Sequence, residues 1–143
     1  MTALATSPRY RLVLAEDDDA LRETVAEILS AAFEVVATTC AEEAVETLAE
    51  EPADLALFDV QMGSMSGLDA VRVVRLRYEL QLPCLLMTAR SDAAVRQEAA
   101  RWGVSDLIEK PFARLRLIET VATTMAVAYG EQHVADWFDP HCN

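Results

Sequence analysis

Lysine is almost missing from this chain: it occurs once, at position 110, and the other basic residues are all arginine. Arginine is a broad planar fork, whereas lysine carries a compact ammonium on a flexible stem that acts as a point charge on an anion. A chain that uses arginine wherever positive charge suffices is expected to keep its one lysine where the fork does not fit. Basic residues are scarce as a class, 12 against 24 acids, leaving a net charge of −12. Phosphate backbones attract basic surfaces, so this balance disfavours direct nucleic-acid binding and favours protein partners. Glycine and proline are few, four and five, beside a hydrophobic content of 52%. That excludes disorder and points to a compact, helix-rich fold. The three cysteines, Cys40, Cys84 and Cys142, lack metal-type spacing and read as reduced thiols. No apolar run approaches the roughly 20 residues needed to cross a bilayer. Met1 to Tyr10 lack a cationic region followed by an apolar core, so no secretion signal is read there, and the expected compartment is the cytoplasm.

What is present is an alternation. A length of 143 residues suits one domain, and short apolar runs alternate with helical patterns five times. Strands are expected at 11–15, 34–38, 54–58, 84–87 and 106–109. The first helix carries Leu21, Val25, Ile28, Leu29 and Ala32 at helical spacing, with Asp19 as its expected N-cap. Helices follow at 41–50, with Ala44, Val45 and Leu48 inward, at 68–78, at about 91–102 closed by Gly103, and from about Arg114. Strands that are apolar throughout and separated by helices call for a parallel sheet covered on both faces. Such doubly wound sheets bind ligands beyond the carboxyl ends of their strands. There the sequence places Glu16-Asp17-Asp18-Asp19, Asp59, Thr88 and Lys110, as a phosphate-and-metal site would require.

Four linked motifs sharpen this: Leu-Val-Leu-Ala-Glu-Asp-Asp at 12–18, Asp-Leu-Ala-Leu-Phe-Asp-Val-Gln-Met at 54–62 with Gly67, Met-Thr-Ala at 87–89 and Lys-Pro-Phe at 110–112. In this order and spacing the chain resembles the receiver domain of bacterial two-component response regulators, from about Arg9 to Ala128. The resemblance implies a flavodoxin-like α/β fold with a five-stranded parallel sheet in the order 2-1-3-4-5. It implies a signalling switch rather than an enzyme in the ordinary sense, loaded by a sensor histidine kinase or a histidine phosphotransfer protein. Asp59 is the implied phosphoacceptor, and Thr88 and Lys110 are the implied partners of the phosphoryl group. The implied cofactor is Mg²⁺, held by Asp17, Asp59 and the backbone carbonyl of Gln61, with Glu16 acting through water. Clustered carboxylates need such a cation to offset their repulsion, and magnesium takes oxygen ligands. The Lys110–Pro111 peptide is implied to be cis. Asp18 and Asp19 also read as plain helix caps.

The chain departs from the family pattern in three places. Gly63 and Ser66 stand where the family usually has proline and aspartate, which leaves the loop after Asp59 without proline's fixed φ. Leu107 stands where an aromatic switch residue is usual, so movement of the Thr88–Ser91 loop, Trp102 or Phe112 is expected to carry the signal. Gln61 and Arg90 flank the phosphoryl position, where the family sets the lifetime of the phosphate.

In the last helix Leu115, Ile118, Ala122, Met125 and Tyr129 form an expected core stripe, and Leu117, Val121, Thr124 and Ala128 a second apolar line. One helix on a sheet needs a single stripe. A homodimer through helix 4, strand 5 and helix 5, or Trp137 and Phe138 folding back, is expected to cover the second. The domain is read as residues 1–130 with a tail at 131–143, too short for an output domain, so the chain reads as a stand-alone receiver. His133, Asp136, Asp139, His141 and Cys142 fit no standard metal spacing. The alternative role is a phosphorylation-independent interaction module. An aspartate-nucleophile phosphatase is disfavoured because Gln61 stands where an Asp-x-Asp motif needs its second acid.

Overall fold

In a computed structural model, which describes residues 9–130, each apolar run has become a strand and each periodic segment a helix. The order is β1 (Tyr10–Ala15), α1 (Asp19–Leu29), β2 (Phe33–Thr38), α2 (Ala41–Glu50), β3 (Leu55–Asp59), α3 (Gly67–Leu76), β4 (Cys84–Thr88), α4 (Ala93–Arg101), β5 (Asp106–Glu109) and α5 (Arg114–Tyr129). All strands are parallel, in the order β2-β1-β3-β4-β5.

Alternation along the strands divides the core in two. Leu12, Leu14, Leu55, Leu57, Leu85 and Met87 point toward α1 and α5. Val13, Ala15, Ala56, Phe58, Cys84 and Leu86 point toward α2, α3 and α4. Every one of these side chains is fully buried, and each buried leucine contributes roughly 1.5–3 kcal/mol. Burial on both faces is why these strands read as unbroken apolar runs rather than alternating ones.

The caps differ from expectation at one helix. Asp18, not Asp19, caps α1: its carboxylate accepts the Leu21 amide at 3.0 Å. Asp19 lies inside the first turn and pairs with Arg22 at 2.7 Å. Asp92 caps α4 by accepting the Val95 amide. Ser66 opens α3 with a capping box, its hydroxyl accepting from the Asp69 amide while the Asp69 carboxylate accepts from the Ser66 amide. Gly103, at φ 72°, follows α4 in the left-handed region, where glycine carries no steric penalty.

The last helix corrects the expected stripe. Leu117, Ile118, Val121, Ala122 and Met125 are buried, together with Thr120 and Thr124, whose hydroxyls donate to the Arg116 and Thr120 carbonyls. Leu115, assigned to the core by spacing, is 63% exposed, and Tyr129 is 42% exposed. The Tyr129 ring stacks on Tyr10 with centroids 5.6 Å apart, and its hydroxyl donates to the Asp54 carbonyl. Most of both apolar lines is therefore used by the chain's own sheet. Trp137 and Phe138 lie outside the described residues.

Burial pushes the Cys84 thiol up to about 11, which keeps it protonated and unreactive at neutral pH. In a Cys142→Ser background, a thiol reagent is expected to label half-buried Cys40 in the native protein and Cys84 only at the rate of unfolding. Labelling of Cys84 without denaturant would show that β4 opens locally.

Candidate functional site

Beyond the carboxyl ends of β1, β3 and β5 three polar side chains meet. The Lys110 ammonium lies 2.8 Å from Glu16 Oε1 and 3.1 Å from Asp59 Oδ2. Glu16 and Asp59 are both buried, while Asp17 beside them is exposed. The switch of strand order between β1 and β3 produces this meeting, because the two strands are neighbours whose following helices leave on opposite faces. Lys110 is anchored by its own amide, which donates to the Thr88 carbonyl at 2.7 Å, and the Lys110–Pro111 peptide is cis.

The electrostatics follow from burial. Burial raises the Glu16 pKa, and the hydrogen bonds from Lys110 and from the Asp18 amide only partly offset that rise. Burial acts to lower the Lys110 pKa, but hydrogen bonds to Glu16 and Asp59 outweigh it and the net shift is upward. The ammonium is thus held charged. Both Glu16 oxygens are already engaged, one by Lys110 and one by the Asp18 amide. The Glu16 backbone carbonyl accepts from Arg22 at 3.0 Å. Spacing alone did not single out Arg22; the only sequence signal is its place three residues after Asp19, within reach on one helix face.

The loop after β3 is fitted closely around Asp59. The Gln61 amide faces Asp59 Oδ1 at 3.3 Å, and the Gly67 amide donates to the Val60 carbonyl at 3.0 Å. A Cβ on Gly67 would stand 2.3 Å from the Asp59 carbonyl oxygen, so only glycine permits α3 to begin there. Gly63 adopts φ 34°, which proline cannot reach.

Thr88 is buried at the end of β4, but its hydroxyl is committed elsewhere. It donates to the Arg90 carbonyl at 2.8 Å and accepts from the Arg90 amide at 3.1 Å. Leu107 is half-buried among the α2–α4 side of the core and borders a groove of about 380 Å³ with Ser91 and Arg96.

Glu16, Asp17 and Asp59 bring carboxylate oxygens within 4.8 Å of one another. An all-oxygen donor set with one exposed member suits a hard divalent cation such as magnesium. His133, Asp136, Asp139, His141 and Cys142 lie outside the described residues.

Comparison with known proteins identifies the family and the fold. A family model described as "Response regulator receiver domain" matches residues 12–122. The response regulator protein FleR of Pseudomonas aeruginosa is 40% identical over 113 residues, 78% of this chain and 24% of that protein. The transcriptional regulatory protein CrdR of Helicobacter pylori is 34% identical over 103 residues, 71% of this chain and 48% of that protein. The chain thus spans about a quarter to a half of these relatives. Among solved structures, the Vibrio cholerae chemotaxis protein CheY4 superposes with a TM-score of 0.76 at 25% identity, covering 82% of this chain and 99% of that one.

Three carboxylates around one ammonium leave net repulsion. Removing one of the three charges, Asp59→Asn is therefore expected to raise the urea midpoint of the metal-free protein. The advantage should shrink in millimolar magnesium, which stabilises a chain that binds it. A destabilised Asp59→Asn protein in metal-free buffer would show that the Lys110 pair outweighs the repulsion.

Proposed function

The chain belongs to the family of response regulator receiver domains, signalling switches rather than ordinary enzymes, and on that footing we propose that Asp59 is its phosphoacceptor. The observation that carries this reading is the Lys110 ammonium, set between Asp59 and Glu16 at the open end of the sheet.

In the proposed transfer an Asp59 carboxylate oxygen attacks the phosphorus of a phosphohistidine. The P–N bond breaks, its electron pair stays on the imidazole nitrogen, and an acyl phosphate remains on Asp59. Lys110 is already charged and within reach of the oxygens that gain negative charge, so its stabilisation needs little reorganisation. Asp17, Asp59 and the Gln61 carbonyl would hold magnesium directly, and Glu16, with both oxygens occupied, would act on it through water. When bound, the ion supplies neutralisation of the phosphoryl oxygens. Later attack of water on the same phosphorus returns free Asp59, so the domain catalyses only its own loading and unloading.

Thr88 gives this switch its moving part. To reach a phosphoryl oxygen, its hydroxyl exchanges the Arg90 carbonyl for the new acceptor. That exchange pulls on the loop from Thr88 to Ser91 and on α4 behind it. With Leu107 in place of a ring, this displacement is the proposed signal, read by a protein target. Sensor histidine kinases or histidine phosphotransfer proteins are the partners that the family implies. The face of α4, β5 and α5 is the proposed homodimer surface, with Leu115 as an exposed apolar group. Residues 1–130 are proposed as the receiver domain and 131–143 as its tail, acting in the cytoplasm. Among the described residues no helix is long and apolar enough to cross a membrane.

Incubation with a small acyl-phosphate donor and magnesium is expected to add the mass of one phosphoryl group to the native chain, and none to Asp59→Asn. No adduct on the native chain, even with candidate kinases, would sink the proposal. Thr88→Ala is expected to retain loading on Asp59 while slowing it by about tenfold, the cost of roughly one charge-assisted hydrogen bond. An unchanged rate would remove Thr88 from the phosphoryl site.

A further inference from the structure

At the end of the sheet opposite Asp59, two grooves lie side by side and share Gln81 as a wall. One, of about 550 Å³, is bordered by Arg75, Arg101, Trp102 and Ala128. The other, of about 380 Å³, is bordered by Leu48, Leu80, Leu82 and Tyr129. The first is lined by two arginines, of which Arg101 also pairs with Glu98 at 3.8 Å on its own helix, and the second is largely apolar. Arg75 donates only to backbone carbonyls, those of Leu80, Leu82, Trp102 and Gly103, and forms no ion pair among the described residues. The Trp102 indole N–H is buried there without an acceptor among the described residues. In a chain of net charge −12, a guanidinium without a carboxylate beside an unmet donor is a place for an acidic segment.

The last turn of α5 supplies a wall to each groove, Ala128 to one and Tyr129 to the other. The helix then ends at Gly130, in a left-handed conformation that turns the chain off the helix axis. The next thirteen residues, 131–143, carry Glu131, Asp136 and Asp139, no lysine or arginine, and the adjacent pair Trp137-Phe138. Their acids match the arginine groove and their aromatic pair matches the apolar one. Phe138 lies eight positions beyond Gly130, a span of up to about 26 Å, ample to reach either groove from the end of α5.

We propose that residues 131–143 of this chain occupy these two grooves, with Trp137-Phe138 against Leu48, Leu80 and Leu82 and the acids toward Arg75 and Arg101. The tail then closes the amino ends of β3 and β4, where Ala53 and Pro83 border the grooves, and leaves the Asp59 end of the sheet open.

Disulfide trapping on the full chain tests this. Gln81 and Phe138 are changed to cysteine, with Cys40→Ser and Cys142→Ser; Gln81 is exposed, so the substitution leaves the core intact. A control pairs Phe138→Cys with Glu119→Cys, an exposed position on α5. Under mild oxidant the Gln81 pair is expected to close within one chain at least about tenfold faster than the control, because docking raises the local concentration. Adding Arg101→Glu should slow closure several-fold. Equal rates for the two pairs, or a Gln81 disulfide formed between chains, would overturn the proposal, the latter by showing that a second copy fills the grooves.

Discussion

The site depends on one ammonium between two buried carboxylates. Glu16 and Asp59 are taken out of water by the strands that carry them, and two carboxylates so close repel unless a cation stands between them. Lys110 supplies it, and its own amide is fixed to the Thr88 carbonyl at the end of the adjacent strand. The three strands β1, β3 and β5 thus end at one point, where a single ammonium offsets part of the negative charge. Asp17, exposed at the rim, is the member of the cluster left facing solvent.

Around that point the backbone is fitted more tightly than any side chain. The carbonyl of Asp59 lies so close to Gly67 that a methyl group has no room, which sets where α3 starts. Ser66 then opens the helix with a capping box. Gly63 in the same loop adopts a left-handed φ of 34°. Thr88, at the end of β4, has its hydroxyl bound to its own loop.

Most of the site was legible in the sequence because each strand is a short apolar run that stops at a polar residue. In a parallel sheet all those stops fall at one end, so Glu16, Asp59, Thr88 and Lys110 could be gathered without knowing a coordinate. The sheet order came from the resemblance alone. What was not legible depends on angle rather than position. Leu115 and Leu117 are two residues apart on α5, and apolar periodicity cannot tell which side faces the sheet when both lines are apolar. Asp18 and Asp19 are chemically equivalent caps, and it is the extended backbone at Asp18 that makes it the one to accept the Leu21 amide. Arg22 acts on a backbone carbonyl, a partner that no side-chain pattern records. The hydroxyl of Thr88 could be placed, but its acceptor could not.

The scarcity of lysine has a practical side. The ammonium of Lys110 is the only side-chain amine in the protein, and its side chain is 20% exposed between two carboxylates. An amine-selective reagent therefore has, apart from the chain terminus, a single target, and that target sits at the centre of the site. Whatever enters or leaves the acidic cluster alters how open that amine is to attack. The unmodified chain thus carries its own chemical gauge of site occupancy, with no foreign label to disturb it.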